Sequence, residues 1–494
     1  MQDVRVAIIG AGFGGLGAAI RFREEGIEDF VVLERGHDVG GTWRENTYPG
    51  CACDVPSHLY SFSFALNPDW SRSFAPQPEI LAYLGEMADR VRDKIRFGAD
   101  VESANWDEDE QRWLVTTPVG GFRAQVLVSA TGPLSETKRP DAPGLDSFEG
   151  TMFHSAEWDH EHDLAGERVA VIGTGASSAQ FIPHVQQRAT QMDVFQRTPP
   201  WVLPKPDFAH GPRTQHAFKR FPALQRTVRN GVYYFAESLV YGLTRDQRAL
   251  RPNEVIGRWL LRRQVKDPVL REKLTPDYRI GCKRIVFAND YFPALDAPNA
   301  DVLTEPIREV VADGIVTADG THRRYDTILL GTGFKVWGQA SADRLFGRDG
   351  RSLNEVWQPT GPVAYRGTVV AGFPNHFLII GPNTGLGNNS MINIIEAQVE
   401  YVIDALRTME REGLASVDVR PGAQERHNDD IQERMVGTVW TGGGCKSWYL
   451  TEDGVNRTLW PSYSNEFKRS LERFEPADFS TVVLPESPAH LVNR

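Results

Sequence analysis

Twice in this chain an apolar strand runs into a glycine-rich turn, a helix-patterned stretch and a second apolar strand. That order of elements admits few architectures besides a parallel sheet wound with helices on its faces. The first unit reads VRVAII over residues 4–9, GAGFGG over residues 10–15, a helix with apolar residues at helical spacing, and FVVLE ending at Glu34. Its G-x-G-x-x-G glycines are Gly10, Gly12 and Gly15. They serve, in that order, a tight turn, backbone approach to a pyrophosphate, and close helix–strand packing. The unpaired N–H groups and positive dipole end of the following helix suit the same anion. The second unit starts with RVAVIG at Arg168, turns at GTGASS over residues 173–178, and ends its second strand with MDVFQR. Here Ser178 takes the place of the third glycine.

The two units differ where their second strands end. Glu34 follows Gly10, and Arg197 follows Gly173, by the same 24 residues. A carboxylate at that point accepts hydrogen bonds from ribose hydroxyls and repels a 2′-phosphate, whereas a guanidinium pairs with the phosphate bidentately. The first site therefore reads as one for FAD and the second as one for NADPH rather than NADH. A solvated strand-end cation is the alternative for Arg197. Two further apolar runs, VLVSATG over residues 126–132 and TILLGTGF over residues 327–334, are expected as strands. Each either closes a sheet against a nucleotide or is an ordinary buried parallel strand.

A chain of 494 residues exceeds a single core. Its 65 acidic against 54 basic residues give a net charge of -11. That balance argues against a nucleic-acid partner and against stable association with an anionic membrane. Cys51, Cys53, Cys282 and Cys445 form neither a disulfide framework, nor a C-x-x-C pair, nor half of a zinc site. Reduced thiols, no metal and a cytoplasmic location are expected. No secretory leader is expected, because Met1-Gln2-Asp3 leads straight into the first strand, and no apolar run reaches the roughly 18 residues a spanning helix needs. The most apolar-aromatic stretch, GVYYFAESLVYGL over residues 231–243, carries Glu237 and is expected as a packed helix. The tail PESPAHLVNR is expected to fray.

Directly before the second glycine turn stands FEGTMFHSAEWD, residues 148–159. At Phe148, Gly150, His154, Trp158 and Asp159 it matches F-x-G-x-x-x-H-x-x-x-W-[P/D]. In this motif and its place the chain resembles the single-component, NADPH-using, flavin-dependent Baeyer–Villiger monooxygenases. Relatives that oxygenate nitrogen or sulfur usually carry a different aromatic ring at the equivalent of Trp158. The likeness continues in GGTWRENTYPGCACD (residues 40–54), similar to the segment that wraps the flavin, and in CKR (residues 282–284), similar to a catalytic Lys–Arg pair. GPNTGLGNNSMINIIE (residues 381–396) resembles the loop near the isoalloxazine ring and substrate, and WTGGGCKSWYL (residues 440–450) resembles a segment with a Trp near NADP. The run over residues 49–58 and the loop at Gly385 look closest to aryl-ketone (hydroxyacetophenone-type) members, without the extra N-terminal domain some of those carry.

The resemblance implies an α/β fold of two Rossmann-like dinucleotide-binding domains, the NADP domain inserted in the FAD domain and carrying a helical insertion. Expected boundaries are 1–145 for the first part of the FAD domain, 146–331 for the NADP domain with its insertion at about 204–274, and 332–494 for the remainder, which lines the active site. It implies that NADPH reduces FAD, that dioxygen is captured as a C4a-peroxyflavin, and that one oxygen atom enters beside a ketone carbonyl to give an ester or lactone. Arg284 matches the residue that stabilises the anion, and Asp54 the carboxylate that orients it. From sequence separation alone that pair reads as an interdomain salt bridge.

The FAD residues implied are Gly10, Gly12, Phe13, Gly14, Gly15, Glu34, Arg35, Gly41, Thr42, Trp43, Asp54, Tyr60 and Met391. Those for NADP are Thr174, Gly175, Ala176, Ser177, Ser178, Gln180, Arg197, Thr198, Lys283 and Trp440. Lys283 would help Arg197 hold the 2′-phosphate. Trp440 would either donate its indole N–H to a nicotinamide ribose or sit in the core. His154 reads as part of a linker rather than a general acid or base, and Trp158 as a packing anchor. An N- or S-oxygenating flavoprotein is disfavoured by Trp158 and the CKR segment. A non-oxygenating FAD/NADP-binding regulator is disfavoured because every charged position the chemistry requires is present. A flavin disulfide reductase lacks its C-x-x-C pair.

Overall fold

The first glycine unit folds around β1 (Gln2–Ile9), α1 (Phe13–Glu24) and β2 (Phe30–Leu33). β1 pairs in parallel with β2, Ala7 opposite Val31 and Ile9 opposite Leu33. On its other flank it pairs in parallel with β3 (Gly120–Ser129), Val6 opposite Val126 and Ile9 opposite Ser129. Neighbours on both edges and packing on both faces explain why these strands are continuous apolar runs rather than alternating ones. The computed structural model describes residues 1–483, so the tail from Pro485 lies outside the described residues. Beyond β3 the sheet continues antiparallel through Arg112–Thr117 to Ser103–Asp107, which pairs in parallel with Leu345–Phe346, while His376–Leu378 pairs in parallel with the end of β3. The run after β3 closes on the glycine turn. Gly10 has φ +99°, and a Cβ there would sit 2.7 Å from the Ala130 carbonyl oxygen, so only glycine fits.

The second unit builds a separate five-stranded, all-parallel sheet. Its strands are β4 (Thr151–His154), β5 (Arg168–Ile172), β6 (Gln191–Phe195), β7 (Ala300–Leu303) and β8 (Thr327–Leu330), in the order β7-β6-β5-β8-β4. α2 (Ala176–Gln186) follows its glycine turn. All five strands fall, along the chain, between β3 and Leu345–Phe346, so the second sheet is inserted into the path of the first. Its turn closes as the first one does, and a Cβ on Gly173 would lie 2.3 Å from the Gly331 carbonyl oxygen. Ser178 is accommodated from across the gap. A Cβ on Gly331 would lie 1.9 Å from Ser178 Oγ, so the glycine missing from the helix is supplied by the facing strand end.

Between Val202–Leu203 and Val286–Phe287, which pair in parallel, the chain is helical. The longest of these helices, α3 (Pro222–Ser238), buries Gln225, Arg229, Ala236 and Glu237 on one face and leaves Tyr234 and Phe235 exposed on the other. The apolar stretch around Gly231 is thus packed along one side only. The buried Arg229 guanidinium donates to the carbonyls of His58, Leu59 and Ser61, fastening the insertion to the segment after residue 54. Among the described residues no helix is long and apolar enough to cross a membrane. α4 (Met391–Glu412) starts where Ser390 Oγ accepts from the Ile392 amide and stops at Gly413, which has φ +64°. It packs against α1 and covers that face of the first sheet.

The cysteines depart from expectation. Cys282 and Cys445 form a disulfide with a Cα separation of 6.2 Å, so these two are not reduced thiols. The bond joins residues 163 apart in sequence, a distance that leaves no spacing signal to read. Cys51 and Cys53 are free and buried, and burial pushes the Cys51 thiol up to about 11.

Candidate active site

Bare backbone gathers at the start of α1. Gly12 is its N-cap, no side chain caps it, and its first turn holds no acid. Gly41 lies opposite, where a Cβ would be 3.1 Å from the Gly12 Cα. Two glycines facing each other beside free helix N–H groups form a cradle that any side chain would fill, and it fits the pyrophosphate of FAD. Glu34 is 4% exposed. It accepts from the amides of Ala11 and Gly36, both at 2.8 Å, and from Arg44 Nη1 at 2.9 Å. The carboxylate expected to meet a ribose therefore also staples the glycine turn, and three of its four acceptor positions are used. An open cleft of about 470 Å³ lies beside it, lined by Arg35, Gly36, His37, Arg44, Glu45 and Asp100. Arg35 is exposed and donates to the Ser135 carbonyl. Phe13 meets Tyr60 edge-on at 5.2 Å, and Trp43, in the short helix Thr42–Glu45, donates its indole N–H to Tyr60 Oη at 3.0 Å. Gly14 lies against Ile379, and Met391 receives the Leu386 amide on its sulfur at 3.3 Å.

α2 offers a second uncapped N-terminus. Gly175 is its N-cap, its first turn has no acid, and a Cβ on Gly175 would meet nothing within 4 Å. Ala176 is exposed, Ser177 half-buried, and buried Ser178 Oγ has no hydrogen-bond partner. Thr174 Oγ1 donates to the Thr198 carbonyl at 3.2 Å, bracing the turn against the end of β6. Arg197 is exposed there, and among the described residues no carboxylate pairs with it. Lys283 faces it from another part of the chain. Burial first, and then the charge of Arg197, hold the Lys283 ammonium below its usual range. Two cations that repel each other, offset on Lys283 only in part by the Asp277 charge, suit a dianionic ligand such as a 2′-phosphate. Trp440 is 2% exposed and its indole N–H has no partner, so the core position and a free donor coincide. Gln180 is engaged elsewhere. Its Oε1 accepts from Tyr48 Oη at 3.0 Å and the Ala52 amide at 3.3 Å, and its Nε2 donates to the Ala52 carbonyl at 3.0 Å. This side chain ties α2 to the segment over residues 40–54.

Asp54 and Arg284, 230 residues apart, meet. Arg284 Nε donates to Asp54 Oδ2 at 2.8 Å, Nη2 lies 2.7 Å from the same oxygen, and Nη1 donates to the Leu386 carbonyl at 3.3 Å. The Asp54 charge raises the guanidinium further above its ordinary range, outweighing burial. Tyr449 stands close by, pushed up to about 12 chiefly by burial. The disulfide ties residue 282, just before Lys283 and Arg284, to the 440–450 segment that carries Tyr449. Leu386 and Tyr449 lie in the 381–396 and 440–450 segments marked by the family likeness, but neither was singled out there as a contact of Arg284.

The fingerprint residues flank β4: Phe148 and Gly150 precede it, His154 ends it, and Trp158 and Asp159 follow the turn after it. His154 Nδ1 accepts from the Ala156 amide at 3.1 Å, its Nε2 has no partner, and burial lowers its pKa. Trp158 packs against Phe153 at 5.2 Å and Phe181 of α2 at 5.4 Å. A Cβ on Gly150 would lie 2.4 Å from the Asp326 carbonyl oxygen and 2.6 Å from the Phe148 ring. Asp159 accepts from the Glu161 amide. His154 also meets Phe334 edge-on at 5.7 Å, where the chain leaves the second sheet. Among the described residues, none of the five hydrogen-bonds to Asp54 or Arg284.

A family model described as pyridine nucleotide-disulphide oxidoreductase matches residues 7–230, the span that holds both glycine turns. A protein of Streptomyces coelicolor named Baeyer-Villiger monooxygenase is 50% identical over 493 residues, covering 99% of this chain and 94% of that one. A solved structure of oxidized steroid monooxygenase bound to NADP superposes with a TM-score of 0.85 at 33% identity, covering 97% of this chain and 100% of the other. A structure of OTEMO in complex with FAD and NADP gives a TM-score of 0.86 at 29% identity, covering 97% and 99%.

Proposed function

The chain belongs to the Baeyer–Villiger monooxygenase family, and from that premise we propose that Arg284, oriented by Asp54, is the charged group around which its oxygenation is organised. The activity is NADPH- and dioxygen-dependent conversion of a ketone to an ester or lactone, with FAD and NADP as cofactors. When bound, FAD would supply the redox and oxygen-transfer chemistry, with NADPH as its reductant. The protein's part is placement and charge. Asp54 fixes the plane of the guanidinium and keeps it charged, leaving Nη1 on the Leu386 carbonyl at the edge of the 385–391 loop. A fixed cation there stabilises the negative charge that develops as the carbonyl is attacked, at no cost in reorganisation. Arg197 and Lys283 hold the 2′-phosphate, the uncapped ends of α1 and α2 hold the two pyrophosphates, and Trp440 donates to a ribose. Residues 1–145 and 332–494 form the FAD domain, and 146–331 the NADP domain. His154, neutral and buried at the edge of the second sheet, belongs to the link between them. The cytoplasm, where NADPH is regenerated, is the location this reading assigns.

The observation that carries the reading is the Asp54–Arg284 contact across 230 residues. The 49–58 run makes aryl ketones the first substrates to try. A panel of aryl, cyclic and linear ketones plus one sulfide tests it, with NADPH consumption and product measured together. Ester formation coupled to NADPH oxidation for at least one ketone is expected, and turnover of the sulfide alone would favour an S-oxygenase. Asp54→Asn removes a charge-assisted contact worth about 1.5–3 kcal/mol, so ketone turnover should fall about ten- to a hundredfold with the KM for NADPH unchanged. Steady-state kinetics on the variant reads both.

A further inference from the structure

Glu237, near the C-terminal end of α3, is a buried carboxylate, 6% exposed, that none of the roles above uses. No cation lies within salt-bridge distance of it among the described residues. It is held by neutral donors alone. Asn389 Nδ2 donates to Oε1 at 2.7 Å, Ser464 Oγ to Oε1 at 2.9 Å, and the Ser464 amide to Oε2 at 2.9 Å. Beside it, Asn388 Nδ2 donates to the Ala236 carbonyl at 2.9 Å, and Tyr233 Oη lies 3.0 Å from Ser464 Oγ. Asn389 in turn accepts from the Ser390 amide at 2.8 Å and from Asn393 at 3.2 Å. One carboxylate thus joins three stretches of chain: the helical insertion, the loop before α4, and the segment at Ser464.

That loop is held at both ends. Leu386 accepts from Arg284, and Asn389, three residues on, is gripped by Glu237. Between them a Cβ on Gly387 would lie 3.2 Å from the Trp440 ring, so the loop backbone runs against the side chain whose indole N–H is free. Taking an unpaired carboxylate out of water is costly and is offset here only by hydrogen bonds, an arrangement that specifies position more than it stabilises. We propose that Glu237 is a positioning residue: acting through Asn389 it sets the 385–391 loop against Arg284, and so governs ketone binding and the coupling of NADPH oxidation to ester formation, without touching either cofactor. This rests on the assignment of Arg284.

Glu237→Gln keeps size and one acceptor but turns a donor toward donors. In FAD-loaded enzyme it should raise the ketone KM about tenfold and divert NADPH oxidation toward hydrogen peroxide. The KM for NADPH and the anaerobic rate of flavin reduction should stay within about twofold, because Glu237 hydrogen-bonds to none of the residues assigned to either nucleotide. Adding Asn389→Asp gives the new amide an acceptor and frees its oxygen for the Ser464 amide, so the double variant should recover coupling. Hydrogen exchange at residues 385–391 should quicken in Glu237→Gln and slow again in the double variant. Unchanged exchange and unchanged ketone KM in Glu237→Gln would overturn the proposal. So would an equal loss in flavin reduction and ketone binding, or a double variant no better than the single. Failure of the Arg284 assignment would show separately, as normal ester formation by Arg284→Ala, and leaves the exchange measurement free to judge the loop.

Discussion

Arg284→Ala should bind FAD and accept hydride from NADPH at the normal rate, yet form ester about a hundred to a thousand times more slowly, the usual effect of deleting a preorganised donor to developing charge. Its Nη1 reaches the 385–391 loop at the Leu386 carbonyl, and no other cation is paired with Asp54 among the described residues. Alanine removes that charge and leaves a carboxylate near the reacting centre, so the field there changes sign rather than fading. NADPH oxidation should continue, with hydrogen peroxide as its product. Neither cradle glycine touches the guanidinium, so cofactor binding supplies an internal control for folding. Flavin content, anaerobic reduction rate and ester yield, measured on one preparation, separate these outcomes. Lysine at the same position should recover little, because a single ammonium cannot reach Asp54 and the Leu386 carbonyl with fork geometry.

Arg197→Ala should raise the KM for NADPH about ten- to a hundredfold while changing that for NADH less than about twofold, since hydrogen bonds to a charged group contribute about 1.5–3 kcal/mol. The cause is local. Arg197 is exposed at the end of β6 with no carboxylate partner, and its charge already disfavours the protonated form of Lys283. A phosphate dianion between the two cations would relieve that repulsion, and NADH brings none. The preference for NADPH over NADH should therefore collapse mainly through KM, with kcat for ester formation preserved at saturating coenzyme. Equal effects on both coenzymes would mean that Arg197 serves the fold rather than the phosphate.

Local signals carried most of the fold. The two glycine turns, the strands beside them and the closing runs after residues 126 and 327 are each specified within about 30 residues, the reach of a βαβ unit. The placement of Glu34 and Arg197 just past their strands was legible for the same reason, being set by strand length and turn chemistry. The added duty of Glu34 was not, because its bonds to Ala11, Gly36 and Arg44 depend on how the turn folds back.

Long-range contacts were another matter. The Asp54–Arg284 pair spans 230 residues and was suggested by family likeness, not by spacing. The Cys282–Cys445 bond had no such guide, and its two cysteines were misread as reduced. Gln180 looked like one more residue of the nucleotide helix, yet its amide joins Tyr48 and Ala52, because that face of α2 is covered by the 40–54 segment. Glu237 was noticed only as a charge interrupting an apolar stretch. Its meaning comes from Asn389 and Ser464, residues 152 and 227 positions away.

The most direct test follows one oxygen atom. FAD-loaded enzyme given NADPH and a ketone under heavy-isotope dioxygen should yield an ester carrying a single labelled oxygen, one ester for each NADPH oxidised. An unlabelled ester, or NADPH oxidised with all the label recovered as hydrogen peroxide for every ketone offered, would contradict the account.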